Sequence, residues 1–175
     1  MKKFELTAES KINIFGKKLF RIKALISFGD VEEGETGGWI EKEENLEQSS
    51  GNAWVYGNAE VYGNARVYGN AWVSGDAEVS GNAEVSGNAR VSGNAEVSGN
   101  ADYTTIHGFG TQFRTTTFFQ CEDKQIRVSC GCFLGTIPEF REQVKNTREG
   151  KIAEEYLMIA DLMEKHFVKE KESGE

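Results

Sequence analysis

Proline, histidine and cysteine are all scarce in this 175-residue chain, which has one Pro, two His and three Cys. Twenty glycines accompany the single proline. They are gathered in one periodic block instead of being spread through flexible linkers, so periodicity and not disorder explains the bias. Basic residues are also in deficit, giving a net charge of −8, which argues against a general binder of the nucleic-acid backbone. No apolar run approaches membrane-spanning length, and Met-Lys-Lys-Phe is followed by charged and polar residues instead of a signal-peptide core. A cytosolic location is the expectation, with no membrane partner. An odd number of cysteines, Cys121, Cys130 and Cys132, is expected to stay reduced there.

What is present is unevenly arranged. Residues 1–23 carry seven basic and two acidic groups, whereas residues 30–47 carry one basic and eight acidic. Such stretches can attract each other or a partner, although most charge runs are solvated faces. From Gly51 the chain reads Gly-Asn-Ala-x-Val-x for nine units through Asp102, with Asp76 replacing Asn once. Alternation puts Ala and Val on one face of a short strand and the x positions on the other. The Gly-Asn pair supplies a corner, because these residues tolerate positive φ best.

A small and a β-branched inward residue on each six-residue edge resembles the hexapeptide-repeat left-handed β-helix. In that family three hexads make one triangular coil of 18 residues, and the handedness is taken from the resemblance alone. Nine hexads then predict three coils over residues 51–102, a stack roughly 15 Å tall at about 4.8 Å per layer. An 18-residue coil also predicts outward columns: Trp54, Trp72 and Arg90; Glu60, Glu78 and Glu96; Arg66, Glu84 and Asp102. The first is an aromatic pair capped by a cation. The second stacks like charges, so it must be screened or meet a basic surface or cation. Tyr56, Tyr62 and Tyr68 girdle the first coil, after which that position is serine. Such dense aromatics predict a contact, with the chain's own N-terminal module or with another subunit. Because members of the family are commonly trimers, the resemblance implies a homotrimer, with Trp54, Trp72, Tyr56, Tyr62 and Tyr68 as its interface.

Residues 1–50 read as a β-hairpin followed by an irregular capping coil. Trp39 is expected to continue the Trp54/Trp72 column, and Asn45-Leu46 to form a corner and an inward residue. Residues 103–175 read as a ββαα module. A hairpin spans 112–120 and 125–130. Thr136-Ile137-Pro138-Glu139 is a capping box opening a helix to about Lys145, and an amphipathic helix follows from about Ile152 to Phe167. The expected class is therefore mainly β, a left-handed parallel β-helix with a C-terminal α+β tail.

Catalysis finds little support in these residues. The acyltransferases among hexapeptide-repeat proteins use a histidine base on the helix flank, but no repeat here contains one. His107 is the single candidate for such a base, and an acyltransferase-like enzyme using it is the runner-up reading. The γ-carbonic anhydrases on this fold need three zinc histidines, more than this chain has. Cys130-Gly131-Cys132 reads as a strand end more readily than as a metal site, and no metal or cofactor is expected. Ice binding would need a flat array of small hydroxyl residues, which the Glu, Arg, Trp and Tyr columns interrupt. His107, Arg114, Thr115, Thr116, Thr117, Lys124 and Arg127 concentrate donors around one hairpin, which suits an anionic small molecule.

Residues 29–46, the Gly-Asn-Ala repeats and Cys-Gly-Cys-Phe-Leu-Gly-Thr-Ile at 130–137 together resemble small hexapeptide-repeat, or polymer-forming, proteins encoded by phages and prophages of low-GC Gram-positive bacteria. The resemblance carries no assigned reaction. The reading that follows is a non-catalytic trimeric binding protein, acting against host defence by binding a defence protein or sequestering an anionic nucleotide signal. A purely structural assembly role is the other alternative.

Overall fold

The computed structural model describes residues 2–168. Among them the repeat forms eight two-residue strands: β4 (Trp54–Val55), β5 (Glu60–Val61), β6 (Arg66–Val67), β7 (Trp72–Val73), β8 (Glu78–Val79), β9 (Glu84–Val85), β10 (Arg90–Val91) and β11 (Glu96–Val97). Each of the first five pairs in parallel with the strand eighteen residues on. Trp54 lies beside Trp72 and Trp72 beside Arg90. Glu60 lies beside Glu78 and Glu78 beside Glu96, and Arg66 lies beside Glu84. Three strands thus complete one circuit, and the coil has three parallel sheets around a shared interior. Every alanine and valine of these units is at most 2 % exposed, as period-two alternation around a closed circuit requires.

Glycine makes each corner without help from asparagine, since among the described residues the only non-glycine ones with positive φ are Phe113 and Lys124. At Gly75, φ is +72° and an added Cβ would sit 2.9 Å from the Gly93 nitrogen in the next turn. Asparagine has a different task. Its side-chain amide reaches the equivalent residue one turn away: Asn58 to Asp76 (3.1 Å), Asn64 to Asn82 (3.1 Å) and Asn70 to Asn88 (3.2 Å).

At the N-terminal end, β1 (Phe4–Ile12) and β2 (Lys18–Ala24) form an antiparallel hairpin, and β3 (Thr36–Ile40) joins β2 to the coil. One sheet therefore runs β1-β2-β3-β5-β8-β11. Trp39 lies beside Glu60, not Trp54, which corrects the column expected for it. The reason is spacing: Leu46 and Val55 are nine residues apart where the repeat has six, so this first turn is three residues longer and its register shifts by one face. Leu46 does point inward, bridging to Val67, and the Asn45 amide donates to the Gly63 and Ala65 carbonyls. The inserted Gln48 substitutes for a strand, accepting from the Lys3 and Phe4 amides and donating to the Phe4 carbonyl.

The coil ends one unit earlier than the repeat does. Gly99 lacks the positive φ of its predecessors, and the Asp102 carboxylate accepts from the Ser98 amide, the Ser98 hydroxyl and the Gly99 amide, each at 2.9 Å. That clasp turns the chain outward, leaving Ala101 exposed and removing Asp102 from the Arg66–Glu84 column. The sequence implies nine strands; eight form.

The C-terminal module is larger than a ββαα unit. β12 (Tyr103–Phe109), β13 (Arg114–Gln120), β14 (Ile126–Cys130) and β15 (Phe133–Thr136) make a four-stranded antiparallel sheet, followed by α1 (Ile137–Thr147) and α2 (Gly150–Phe167). The capping box is present: the Thr136 hydroxyl accepts from the Glu139 amide (3.3 Å), while Glu139 accepts from the Thr136 amide (2.7 Å). Along β13 the side chains alternate between two cores. Phe119 and then Cys121 close the end of the coil, whereas Phe118 packs with Val128, Phe140 and Tyr156 beneath the helices. The sheet is a lid over the coil, with the helices outside it. No described helix is long and apolar enough to cross a membrane.

Candidate ligand cleft

The column positions become a site only where another element faces them. Arg90 stands over the Trp72 ring, its guanidinium carbon 5.2 Å from the centroid, as the 18-residue period implies. Across from them lie the β12–β13 turn and the two-residue β14–β15 turn. Between these surfaces is an open cleft of ≈ 580 Å³ lined by Trp72, Arg90, Asn70, Asn88, His107, Phe113, Arg114 and Thr115, with Gly29, Asp30 and Asn52 at its other end. That volume falls within the range typical of small-molecule sites. Asp30 is the single acidic residue on the described wall.

The seven donors expected to share a ligand are divided by the sheet. His107, Arg114 and Thr115 reach the cleft, and the Thr115 hydroxyl lies 3.3 Å from His107 Nδ1. Thr116 and Thr117 are buried. The Thr116 hydroxyl donates to Cys130 Sγ (3.2 Å), and that of Thr117 accepts from the Arg90 amide (3.0 Å), tying the lid to the coil. Lys124 and Arg127 sit at the β13–β14 turn, at the opposite end of the strand. There Lys124 pairs with Glu96 (2.7 Å) and Arg127 with Asp123 (2.6 Å). Neither lines the cleft, because a seven-residue strand separates the two turns. The cleft-lining residues that the sequence did not bring to this site are Trp72 and Arg90, with Asn70 and Asn88. Their column was legible, but the lid folding back over it was not.

Each of the charged columns meets an internal partner. Lys11 pairs with Glu60 (2.8 Å), to which the Asn13 amide also donates (3.0 Å). The Tyr62 hydroxyl donates to Glu78, and Lys124 reaches Glu96. Burial, followed by the neighbouring carboxylates Glu60, Glu96 and Glu122, holds the Glu78 carboxyl above its usual range despite that hydrogen bond. On the third face, Arg66 stands over Tyr68 (5.8 Å), whose hydroxyl donates to Glu84 (3.2 Å).

The aromatic positions expected at a subunit interface are partly occupied by the chain itself. Trp54 is fully buried beneath Phe4 (6.1 Å) and Phe28 (5.4 Å), and Tyr62 packs with Leu19 and Trp39. This corrects the picture of Trp54 and Tyr62 as exposed: the N-terminal hairpin covers both. Tyr56 bridges Trp54 and Trp72 (centroids 6.4 and 5.0 Å). Its phenol is pushed up to about 12, first by burial and then by Glu35 and Asp30. Trp72, Tyr56 and Tyr68 remain half-buried.

The cysteines are dispersed. Cys121 is buried in the coil's core, and that burial raises its thiol to about 11. Cys130 and Cys132 flank the Gly131 turn at the other end of the sheet. Among the described residues no group of three or more His, Cys, Asp or Glu is placed to hold a metal ion.

Against known proteins, the family model described as the YdcK beta solenoid repeat matches residues 59–75 and 83–99. These two segments lie wholly within the coil. The chain is a β-solenoid repeat protein. No curated protein matches it. The matched segments contain Trp72 and Arg90 but none of the lid, so the solenoid supplies one wall of the cleft and the C-terminal module supplies the other.

Proposed function

We propose that this β-solenoid protein is a non-catalytic binding protein whose cleft takes an anionic ligand carrying a flat, stackable group. The observation that carries the reading is the convergence of Arg90, Arg114, His107 and Thr115 around Trp72, opposed by Asp30 alone. Guanidinium groups donate strongly to phosphate or carboxylate, and an indole supplies a stacking surface. A nucleotide-type signal fits this chemistry, and its sequestration from a host defence pathway is the role proposed on the resemblance to phage proteins. Catalysis is disfavoured because the nearest partner of His107 is a threonine hydroxyl and not a carboxylate that would orient it as a base. Calorimetry against a panel of cyclic and linear nucleotides tests the reading. Binding that weakens at least about ten-fold in Arg114→Ala and in Trp72→Ala supports it. Silence across the panel removes the nucleotide version, and turnover of any ligand removes the non-catalytic one.

The left-handed sense of the coil, its membership among hexapeptide-repeat helices and a homotrimeric assembly belong to the same proposal and rest on the resemblance. With Trp54 and Tyr62 covered, Trp72, Tyr56 and Tyr68 are the contact positions left to a second copy. A single-chain mass by light scattering at every concentration removes the trimer.

A further inference from the structure

The outer side of the C-terminal sheet holds a second cavity, smaller and more enclosed than the cleft. It measures ≈ 190 Å³ and lies between the β14–β15 hairpin and the two helices. Its apolar surface comes from Phe133 and Phe140, whose rings are 5.5 Å apart. Its polar rim is made by Arg114, Arg148 and Tyr156.

Two features separate this cavity from an ordinary packing gap. The first is unmatched charge. Other arginines of the module are neutralised locally, Arg141 by Asp161 and Glu164 (both 2.7 Å) and Arg127 by Asp123 (2.6 Å). Arg114 and Arg148 have no carboxylate partner among the described residues, and the Arg148 guanidinium donates to the adjacent Thr147 carbonyl (2.9 Å). Both guanidiniums are exposed, so solvent screens their mutual repulsion, and an anion seated between them would meet two charge-assisted donors. The second is the way the backbone makes room for the rim. An added Cβ at Gly131 would lie 2.5 Å from the Arg114 guanidinium, and one at Gly110 would lie 2.6 Å from the Tyr156 hydroxyl. Each turn therefore admits one rim group against bare backbone, and Tyr156 is fixed further by donating to the Phe109 carbonyl (3.2 Å).

We infer that this cavity binds a small organic anion, with its carboxylate or phosphate held between Arg114 and Arg148 and a compact apolar body against Phe133 and Phe140. The volume falls below the roughly 300 Å³ at which sites for larger ligands begin, so a whole nucleotide does not fit. The site is distinct from the cleft. Arg148, Phe140 and Tyr156 do not line the cleft, Trp72 and Arg90 do not line the cavity, and Arg114 and Cys132 line both. Anion binding here does not depend on the nucleotide reading.

The test is an NMR titration of the full chain with benzoate, phenyl phosphate and inorganic phosphate, with benzamide as the neutral counterpart of benzoate. Benzoate or phenyl phosphate is expected to shift the resonances of Phe133, Phe140 and Tyr156. Arg148→Ala should weaken that binding at least about ten-fold, the loss expected for one charge-assisted hydrogen bond. Trp72→Ala should leave it unchanged. Preference between the two aryl anions identifies carboxylate or phosphate as the natural head group, and binding by inorganic phosphate alone would discard the apolar body. Benzamide binding as tightly as benzoate, equal affinity in Arg148→Ala, or no response to any of the anions overturns the inference.

Discussion

The solenoid and the lid that closes it treat charge in opposite ways. Along the coil, outward acids acquire partners from neighbouring elements: Lys11 and Asn13 on Glu60, Tyr62 on Glu78, Lys124 on Glu96. In the lid, Arg114 and Arg148 have no acid paired with them among the described residues and line two concavities. A periodic structure repeats one environment, like charges included, so its acids are met largely by the elements packed against it. An irregular module stacked on its end is where unmatched groups can be held in place for a ligand. The comparison predicts that changes in the coil alter stability, whereas exposed changes in the lid alter binding.

The largest expected effect lies where the two regions touch. Phe119 is fully buried in the coil's core although it belongs to β13. Phe119→Ala should cost about 3–5 kcal/mol, the usual range for a buried phenylalanine, and should be read from denaturant unfolding. If the coil needs its lid, the last turn around Val91 and Val97 will also lose amide protection in hydrogen exchange. Unaltered protection there would mean that the coil ends by itself and that the lid only rests on it.

Within the coil, a pair of glycines separates backbone strain from stacking. Gly75 and Gly87 both have positive φ, +72° and +64°, but a Cβ at Gly75 meets the Gly93 nitrogen at 2.9 Å while one at Gly87 meets nothing within 4 Å. Gly87→Ala should therefore cost about 1–2 kcal/mol, the left-handed penalty alone. Gly75→Ala pays that and must also separate two turns. Thermal denaturation of both variants checks the order, and equal losses would show that the turns have slack.

How much of this was legible depended on periodicity. Repeat length, inward Ala and Val, and the Trp72–Arg90 stack followed from counting residues, because every strand inherits its neighbour's environment. Trp39 escaped because three additional residues between Leu46 and Val55 shifted its face, a local insertion that no period can signal. Asp102 escaped because its carboxylate competes for backbone amides that the ninth corner would need. Three of the seven donors share the cleft and four do not for a similar reason: alternation and the separation of two turns decide which donors meet, and those depend on which strands pair. β12 and β15 lacked a strong pattern because each is mixed polar and apolar and only partly buried.

The N-terminal hairpin offers a smaller test, with a sign that can be worked out. Lys3 is 3 % exposed, donates to the Ala53 carbonyl (3.1 Å) and lies 4.7 Å from the Phe28 centroid. Burial lowers its ammonium to about 8, partly offset by Glu47. With the folded value below the unfolded one, the unfolded chain holds more protons between roughly pH 8 and 10.5, so stability from this group rises through that window. Lys3→Met should stabilise the fold by about 1 kcal/mol at pH 7, after the Ala53 carbonyl loses its donor. The advantage should shrink as pH climbs through that window. An advantage independent of pH would place the gain in packing and not in charge.

The smallest expected effect concerns the acidic column, where the comparison is sharpest. Glu78 stands between Glu60 and Glu96 on one face, and it is the member whose partner is a neutral hydroxyl instead of a cation. Glu78→Gln keeps a side-chain oxygen for Tyr62 while removing the like-charge pairs, so it should gain a few tenths of a kcal/mol at neutral pH. Because the folded-state carboxyl titrates above its unfolded value, the folded protein binds the extra proton first. Its stability relative to Glu78→Gln must therefore rise as pH falls through that raised value and be lost again as pH rises through it. Parallel melting series of the two proteins isolate this term from every other carboxylate, since those titrate identically in both. A difference that stays constant with pH would mean that neither burial nor the flanking carboxylates disfavour the Glu78 charge in the folded coil.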